Sequence, residues 1–124
     1  MDKSILIVDD SVGIRRSVRA FVEARPGFTI CGEAADELEA LAKARDLKPD
    51  LIIMDFSMPK MNGLEAAAVL QLILPGALII LFTLHKEAIS SRQARDAGIS
   101  SVLSKTEQLG VLYKEMQRLA RPVA

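Results

Sequence analysis

Five short apolar runs rich in β-forming residues, each followed by a longer stretch with helical spacing, constrain this chain more than any other feature. The runs are Ile5–Val8, Phe28–Cys31, Leu51–Met54, Ala77–Phe82 and Ser101–Leu103. They are continuous rather than alternating, which implies strands buried on both faces. Strands in strict alternation with helices imply a parallel sheet joined by right-handed crossovers. The expected class is therefore α/β, a doubly wound five-stranded parallel sheet.

The spacing between the runs supports this. Ile14, Val18, Phe21 and Val22 fall at i, i+4, i+7 and i+8 of a first helix. Leu38, Leu41, Ala42 and Arg45 continue through one face of a second. Leu109, Leu112, Met116 and Leu119 give the 3-4-3 spacing of a last one. Pro26-Gly27, Pro49-Asp50, Pro75-Gly76 and Gly98 sit where these helices should stop. Asp36 with Glu39 has the pattern of a capping box. Lys86–Ala97 reads as a fourth helix with one large aliphatic, Ile89. Helix three is unusual, because Leu64–Leu74 carries only two polar residues. Its outer face reads either as harmless small-residue exposure or as an apolar contact site.

Length and charge narrow the function. The 124 residues suit a single domain, 1–124, and half of them are apolar, enough for a core without staples. Sixteen basic side chains balance sixteen acidic ones, which argues against a broad nucleic-acid footprint. A single cysteine, Cys31, excludes a disulfide framework and any multi-cysteine metal site. No apolar run approaches the ~20 residues of a membrane span. The start, Met1-Asp2-Lys3-Ser4, leads into too short and too acidic a stretch for a signal peptide. The expectation is a cytoplasmic domain with no membrane contact.

The polar residues that interrupt the pattern fall in one place. Asp9 and Asp10 end strand one, Asp55 ends strand three, Thr83 ends strand four, and Lys105 follows strand five. All carboxyl ends of a parallel sheet share one edge, and open α/β sheets bind ligands there. Three carboxylates against one ammonium leave two negative charges uncompensated, which a divalent cation would remove. Oxygen donors without His or Cys favour Mg²⁺ or Mn²⁺ over zinc. A metal beside a carboxylate and a lysine can shield an incoming phosphoryl group. Asp55 is then the candidate nucleophile, Asp9 and Asp10 hold the metal, and Thr83 and Lys105 meet phosphoryl oxygens. Acidic residues also cap helices, and that could explain any one of these positions, but not their gathering on one edge.

Leu6-Ile7-Val8-Asp9-Asp10-Ser11, then Pro49 to Glu65 with Asp55 at its centre, then Phe82-Thr83 and Ser104-Lys105, resemble the receiver domain of two-component response regulators. Asp55 to Glu65 and Gly32-Glu33-Ala34 are most similar to receivers of LuxR/NarL-type regulators, which usually carry a further helix-turn-helix domain. The resemblance implies a flavodoxin-like (βα)5 fold with strand order 2-1-3-4-5. It implies that Asp55 accepts phosphate from a sensor histidine kinase or phosphotransfer protein, as a switch and not a turnover enzyme. Asp10 would bind Mg²⁺ directly, Asp9 mainly through water, and the backbone carbonyl of Ser57 would complete the protein ligands. Pro59 and Gly63 would shape the loop after the acceptor, with Asn62-Gly63 turning it into helix three. Homodimerisation is a further expectation, and direct nucleic-acid contact by this domain is not expected.

The chain departs from the family's usual pattern at three places. Val102 stands where an aromatic switch residue is usual, Leu84 follows the threonine where alanine is usual, and Thr106 follows the lysine where proline is common. A trans Lys105-Thr106 bond is expected, since cis without proline costs ~2.5–4 kcal/mol. Val102 and Leu84 favour, as an alternative, an interaction module of the same fold that signals without phosphate. A flavin-binding relative of the same topology would need a neutral phosphate loop where Asp9-Asp10 stand. A dehalogenase-type phosphatase would need an aspartate at Ser57. His85, the one histidine, reads as an exposed loop residue near the site, Cys31 as an apolar filler, and Tyr113 as a surface aromatic. Met54, Met58, Met61 and Met116 read as packing residues.

Overall fold

The computed structural model describes residues 2–58 and 61–121. Strands β1 (Lys3–Val8), β2 (Phe28–Ala34), β3 (Leu51–Met54), β4 (Leu78–Thr83) and β5 (Ser101–Ser104) alternate with helices α1 (Val12–Glu23), α2 (Glu37–Leu47), α3 (Gly63–Ile73), α4 (Ser91–Asp96) and α5 (Leu109–Leu119). All strand pairs are parallel, in the order β2-β1-β3-β4-β5. The doubly wound sheet expected from the sequence is what forms.

Of the five continuous apolar runs, those of β1, β3 and β4 occupy the middle of the sheet and are buried on both faces, whereas those of β2 and β5 lie at its edges and are only partly buried, because an edge strand has one open side. One side chain in two from β1, β3 and β4 packs with α1 and α5: Ile5, Ile7, Ile53, Ile80 and Phe82 against Val18, Val22, Leu112 and Met116. The alternate set packs with α2, α3 and α4: Leu6, Val8, Ile52, Met54, Ile79 and Leu81 against Ala40, Ala44, Ala66, Ala67, Leu70 and Ala94. The second face is lined by alanines, so those helices lie close to the sheet. Met54 and Met116 are fully buried, and Met58 and Met61 pack against the second face, as expected of packing residues.

The alanine lining corrects two expectations. Helix α2 turns Glu37, Ala40, Leu41 and Ala44 inward, while Leu38, Ala42 and Arg45 face outward. Large aliphatics marked the wrong face because the close approach of α2 selects small residues. Likewise the alanines of α3 at 66 and 67 point into the core, so its outer apolar patch reduces to Leu72, 84% exposed, beside Ala68.

Helix ends follow the sequence in part. Asp36 caps α2 by accepting the Glu39 N–H at 2.8 Å, but Glu39 reaches back to Ala35, so the box is incomplete. Complete boxes form instead at Asn62/Glu65 and Ser90/Gln93. Asn62-Gly63 leads the chain into α3 as expected, with Asn62 as its cap. Gly63 is needed for clearance: a Cβ there would lie 2.9 Å from Phe56 Cα and 3.0 Å from the Asp55 carbonyl. Pro59, the other residue expected to shape this loop, lies outside the described residues. The expected fourth helix is split into a single 3₁₀ turn, Lys86–Ala88, and the short α4, because Ser90 caps a new start.

Tyr113, expected as a surface aromatic, is half-buried and packed on one side. Its ring packs edge-on against Phe21 and Phe28, and its hydroxyl donates to the Pro26 carbonyl at 2.5 Å, tying α5 to the turn before β2. Tyr113→Phe removes that bond alone and should cost about 1 kcal/mol in urea unfolding. A change indistinguishable from zero would show that the bond contributes nothing to stability.

Candidate functional site

Asp9, Asp55 and Lys105 each stand one step beyond a strand yet remain bonded to the neighbouring one, and Thr83 is the last residue of β4. The Asp9 N–H donates to Ala34 O at 3.0 Å, Asp55 N–H to Val8 O at 3.0 Å, and Lys105 N–H to Thr83 O at 2.8 Å. The ladder thus fixes these backbones before any side-chain contact forms. Val8 pairs with Met54 in register, so the next residues, Asp9 and Asp55, stand side by side at the carboxyl edge.

Lys105 lies between them. Its Nζ is 2.6 Å from Asp9 Oδ2 and 3.1 Å from Asp55 Oδ2, and all three side chains are nearly buried. Asp9 Oδ1 accepts the Ser11 N–H at 2.9 Å, and Asp55 Oδ1 faces the Ser57 N–H at 3.4 Å. Asp10 is exposed, but its carboxylate comes within 4.8 Å of those of Asp9 and Asp55. Thr83 is fully buried, and its Oγ1 accepts the His85 N–H at 3.1 Å. Among the described residues no hydrogen bond joins Thr83 to the carboxylates. His85 is exposed in the following loop, as expected, and stands outside the acidic cluster. The Lys105-Thr106 bond is trans.

The charges are unequal partners. Burial pushes the Asp9 carboxyl above its ordinary value, opposed by the Lys105 and Ser11 bonds and assisted by Asp55. Burial also works against the Lys105 ammonium, but its bonds to Asp9 and Asp55 outweigh this and hold its pKa up. The shared pair therefore secures the lysine more fully than the aspartate. Three oxygen-donor carboxylates without a nitrogen or sulfur donor make a set that fits a hard divalent cation such as Mg²⁺.

A second cluster, with no role anticipated for it, borders the first. Arg15 Nε bonds Glu33 Oε1 at 3.0 Å, and Arg19 Nε bonds Glu33 Oε2 at 2.6 Å. Arg19, then Arg15, hold the Glu33 carboxyl below its ordinary value against modest burial. Glu33 therefore stabilises the fold at neutral pH, and this is lost as pH falls through its folded pKa. Arg15 also donates to the Asp9 carbonyl. Only the position of Arg15 one turn into α1, facing the end of β1, could have signalled this.

Comparison with known proteins adds an independent line. The response regulator receiver domain family matches residues 5–117. The chain is 36% identical over 121 residues to the response regulator protein VraR of Staphylococcus aureus, covering 98% of this chain and 58% of the relative's length. A LuxR-family two-component response regulator from Aurantimonas sp. SI85-9A1 superposes with a TM-score of 0.89 at 30% identity, over 96% of this chain and 85% of that one. The signal receiver domain of the putative response regulator NarL from Mycobacterium tuberculosis gives 0.88 at 25% identity, over 98% of each.

The raised Asp9 carboxyl has a testable consequence. A folded chain that binds this proton more tightly than the unfolded chain loses stability as pH rises through the folded pKa. Asp9→Asn, with no metal present, should therefore raise the melting temperature at neutral pH by a few degrees. The gain should shrink on acidification, as Asp9 itself takes up a proton. A lower melting temperature for the variant at neutral pH would show that the Lys105 bond outweighs the burial.

Proposed function

The chain belongs to the response regulator receiver domain family, and from that premise we propose that it is a phosphoacceptor switch of two-component signalling. The observation that carries the reading is Lys105 shared between Asp9 and Asp55 beside a third carboxylate, at the ligand-binding edge of a parallel sheet. Asp55 is the acceptor: it ends the central strand and alone contacts both Lys105 and the Ser57 N–H.

The phosphoryl donor is a sensor histidine kinase or phosphotransfer protein. A carboxylate oxygen of Asp55 attacks phosphorus, the phosphorus–nitrogen bond to the donor histidine breaks, and an acyl phosphate forms. Asp9, Asp10, Asp55 and the Ser57 carbonyl would hold Mg²⁺, Asp10 directly and Asp9 mainly through water. The ion, when bound, supplies positive charge against the phosphoryl oxygens. Lys105 leaves Asp55 Oδ2 for a phosphoryl oxygen while keeping its bond to Asp9. Thr83 turns its hydroxyl toward the same group, and the loop bonded to it through the His85 N–H moves with it.

The receiving surface follows from that loop. Leu84, 60% exposed, and the 3₁₀ turn come next, beside an open cleft of about 410 Å³ lined by Ile89, Ala94, Ile99 and Val102. Little apolar area anchors this segment, so it is the element most free to shift. Val102 has no ring to swing, and Leu84 is the apolar side chain placed to move in its stead. The switched surface comprises α4, β5 and α5. A transcriptional output domain outside this chain is the proposed recipient of the signal, and homodimerisation a proposed consequence. Among the described residues no helix is long and apolar enough to cross a membrane. Action in the cytoplasm, without direct nucleic-acid contact by this domain, is part of the proposal.

Incubation with acetyl phosphate and Mg²⁺ should add one alkali-labile phosphoryl group, seen by intact-mass spectrometry. Asp55→Asn should reduce labelling to background. An equally labile adduct in that variant would remove Asp55 from its role. No adduct on the unmodified chain would favour a module that signals without phosphate.

A further inference from the structure

The peptide between Asp9 and Asp10 joins a buried carboxylate to an exposed one, so its orientation sets where both point. The Asp9 side is held by three bonds: its N–H to Ala34 O, Oδ1 to the Ser11 N–H, and Oδ2 to Lys105. Among the described residues the Asp10 side chain makes no hydrogen bond, so its direction comes from the backbone alone. The Asp9 carbonyl, on that peptide, accepts from Nη1 of Arg15, whose side chain is 14% exposed. Arg15 is itself fixed, since Nε bonds Glu33, and Glu33 is held from its other oxygen by Arg19. Lys43 of α2 donates to the Glu33 backbone carbonyl, so the end of β2 is fastened as well.

We propose that Arg15, braced by Glu33, is a positioning residue that orients the Asp9–Asp10 peptide for divalent-cation binding. The inference rests on the metal reading above. A guanidinium beside a cation site would by its charge alone weaken metal binding. Glu33, shared with Arg19, offsets that charge. The bond to the Asp9 carbonyl is the favourable contribution, because ligands held by outer partners bind metal more tightly.

Charge and positioning therefore predict opposite signs for one substitution. Mg²⁺ affinity is measured on the unphosphorylated chain by titration of amide shifts at Asp10 and Ser11. Arg15→Met should weaken binding roughly tenfold, the lower end of what loss of such a partner costs. Arg15→Lys, which keeps the charge and can reach the carbonyl but cannot fork to Glu33, should fall between. Val18→Ala, a core change on the same helix, should lower the melting temperature without changing Mg²⁺ affinity. Unchanged or tighter binding by Arg15→Met, or an equal loss in Val18→Ala, would overturn the inference and leave the metal reading intact. If Arg15→Met fails to fold, Arg15→Lys decides: weaker binding supports positioning, and unmodified affinity refutes it. No saturable Mg²⁺ binding by the unmodified chain would overturn the metal reading, and this inference with it.

Discussion

One ammonium group shared between two buried carboxylates is the interaction on which the functional edge of this molecule depends. Unit charges 4 Å apart interact by about 4 kcal/mol at an effective dielectric of 20. Attraction of Lys105 to Asp9, at 2.6 Å, is the larger effect, and repulsion from Asp55 works against it. A single lysine bonds both carboxylates but cannot neutralise both, and Asp10 adds a third nearby. Burial makes the imbalance worse for Asp9, whose carboxyl is pushed upward despite its bond to Lys105. The edge is thus held together while remaining short of positive charge.

The rest of the fold tolerates this shortage because it concentrates apolar burial elsewhere. Three central strands are sealed on both faces, and the large residues Ile7, Ile52, Met54, Ile79 and Leu81 are at most 1% exposed. Backbone bonds from Asp9, Asp55 and Lys105 to neighbouring strands carry that rigidity to the charged side chains. On the second face the alanines of α2, α3 and α4 bring helices close to the sheet, and Gly63 lets α3 begin against the Asp55 backbone. By contrast, the segment from Leu84 to α4 has few large apolar anchors. Rigidity on one side of the site and looseness on the other is the arrangement a switch needs.

The parallel sheet and the acidic edge were legible because both follow from strands that alternate with helices, whereas the strand order was implied by the family resemblance. Residues that follow parallel strands must share an edge. The inward face of α2 was not legible, since Leu38 is larger and more apolar than Ala40 or Ala44, yet close packing selects the smaller residues. Tyr113 looked like a surface residue because its partners Phe21, Phe28 and Pro26 are far away in sequence. The Arg15–Glu33 brace was hidden for the same reason, as its halves lie on different elements and nothing local marks them as a pair. The fourth helix is shorter than its polar pattern suggests because the Ser90/Gln93 box starts it afresh after the 3₁₀ turn.

The shortage of positive charge is the central claim, and binding of a phosphate mimic tests it most directly. Beryllofluoride is titrated into the chain with Mg²⁺ and again with EDTA, and followed by fluorine NMR. A site that needs the cation to accept a tetrahedral anion should give a bound signal with Mg²⁺ and none with EDTA. A bound signal that persists without divalent metal, or its absence in both conditions, would contradict the charge balance derived from Asp9, Asp10, Asp55 and Lys105.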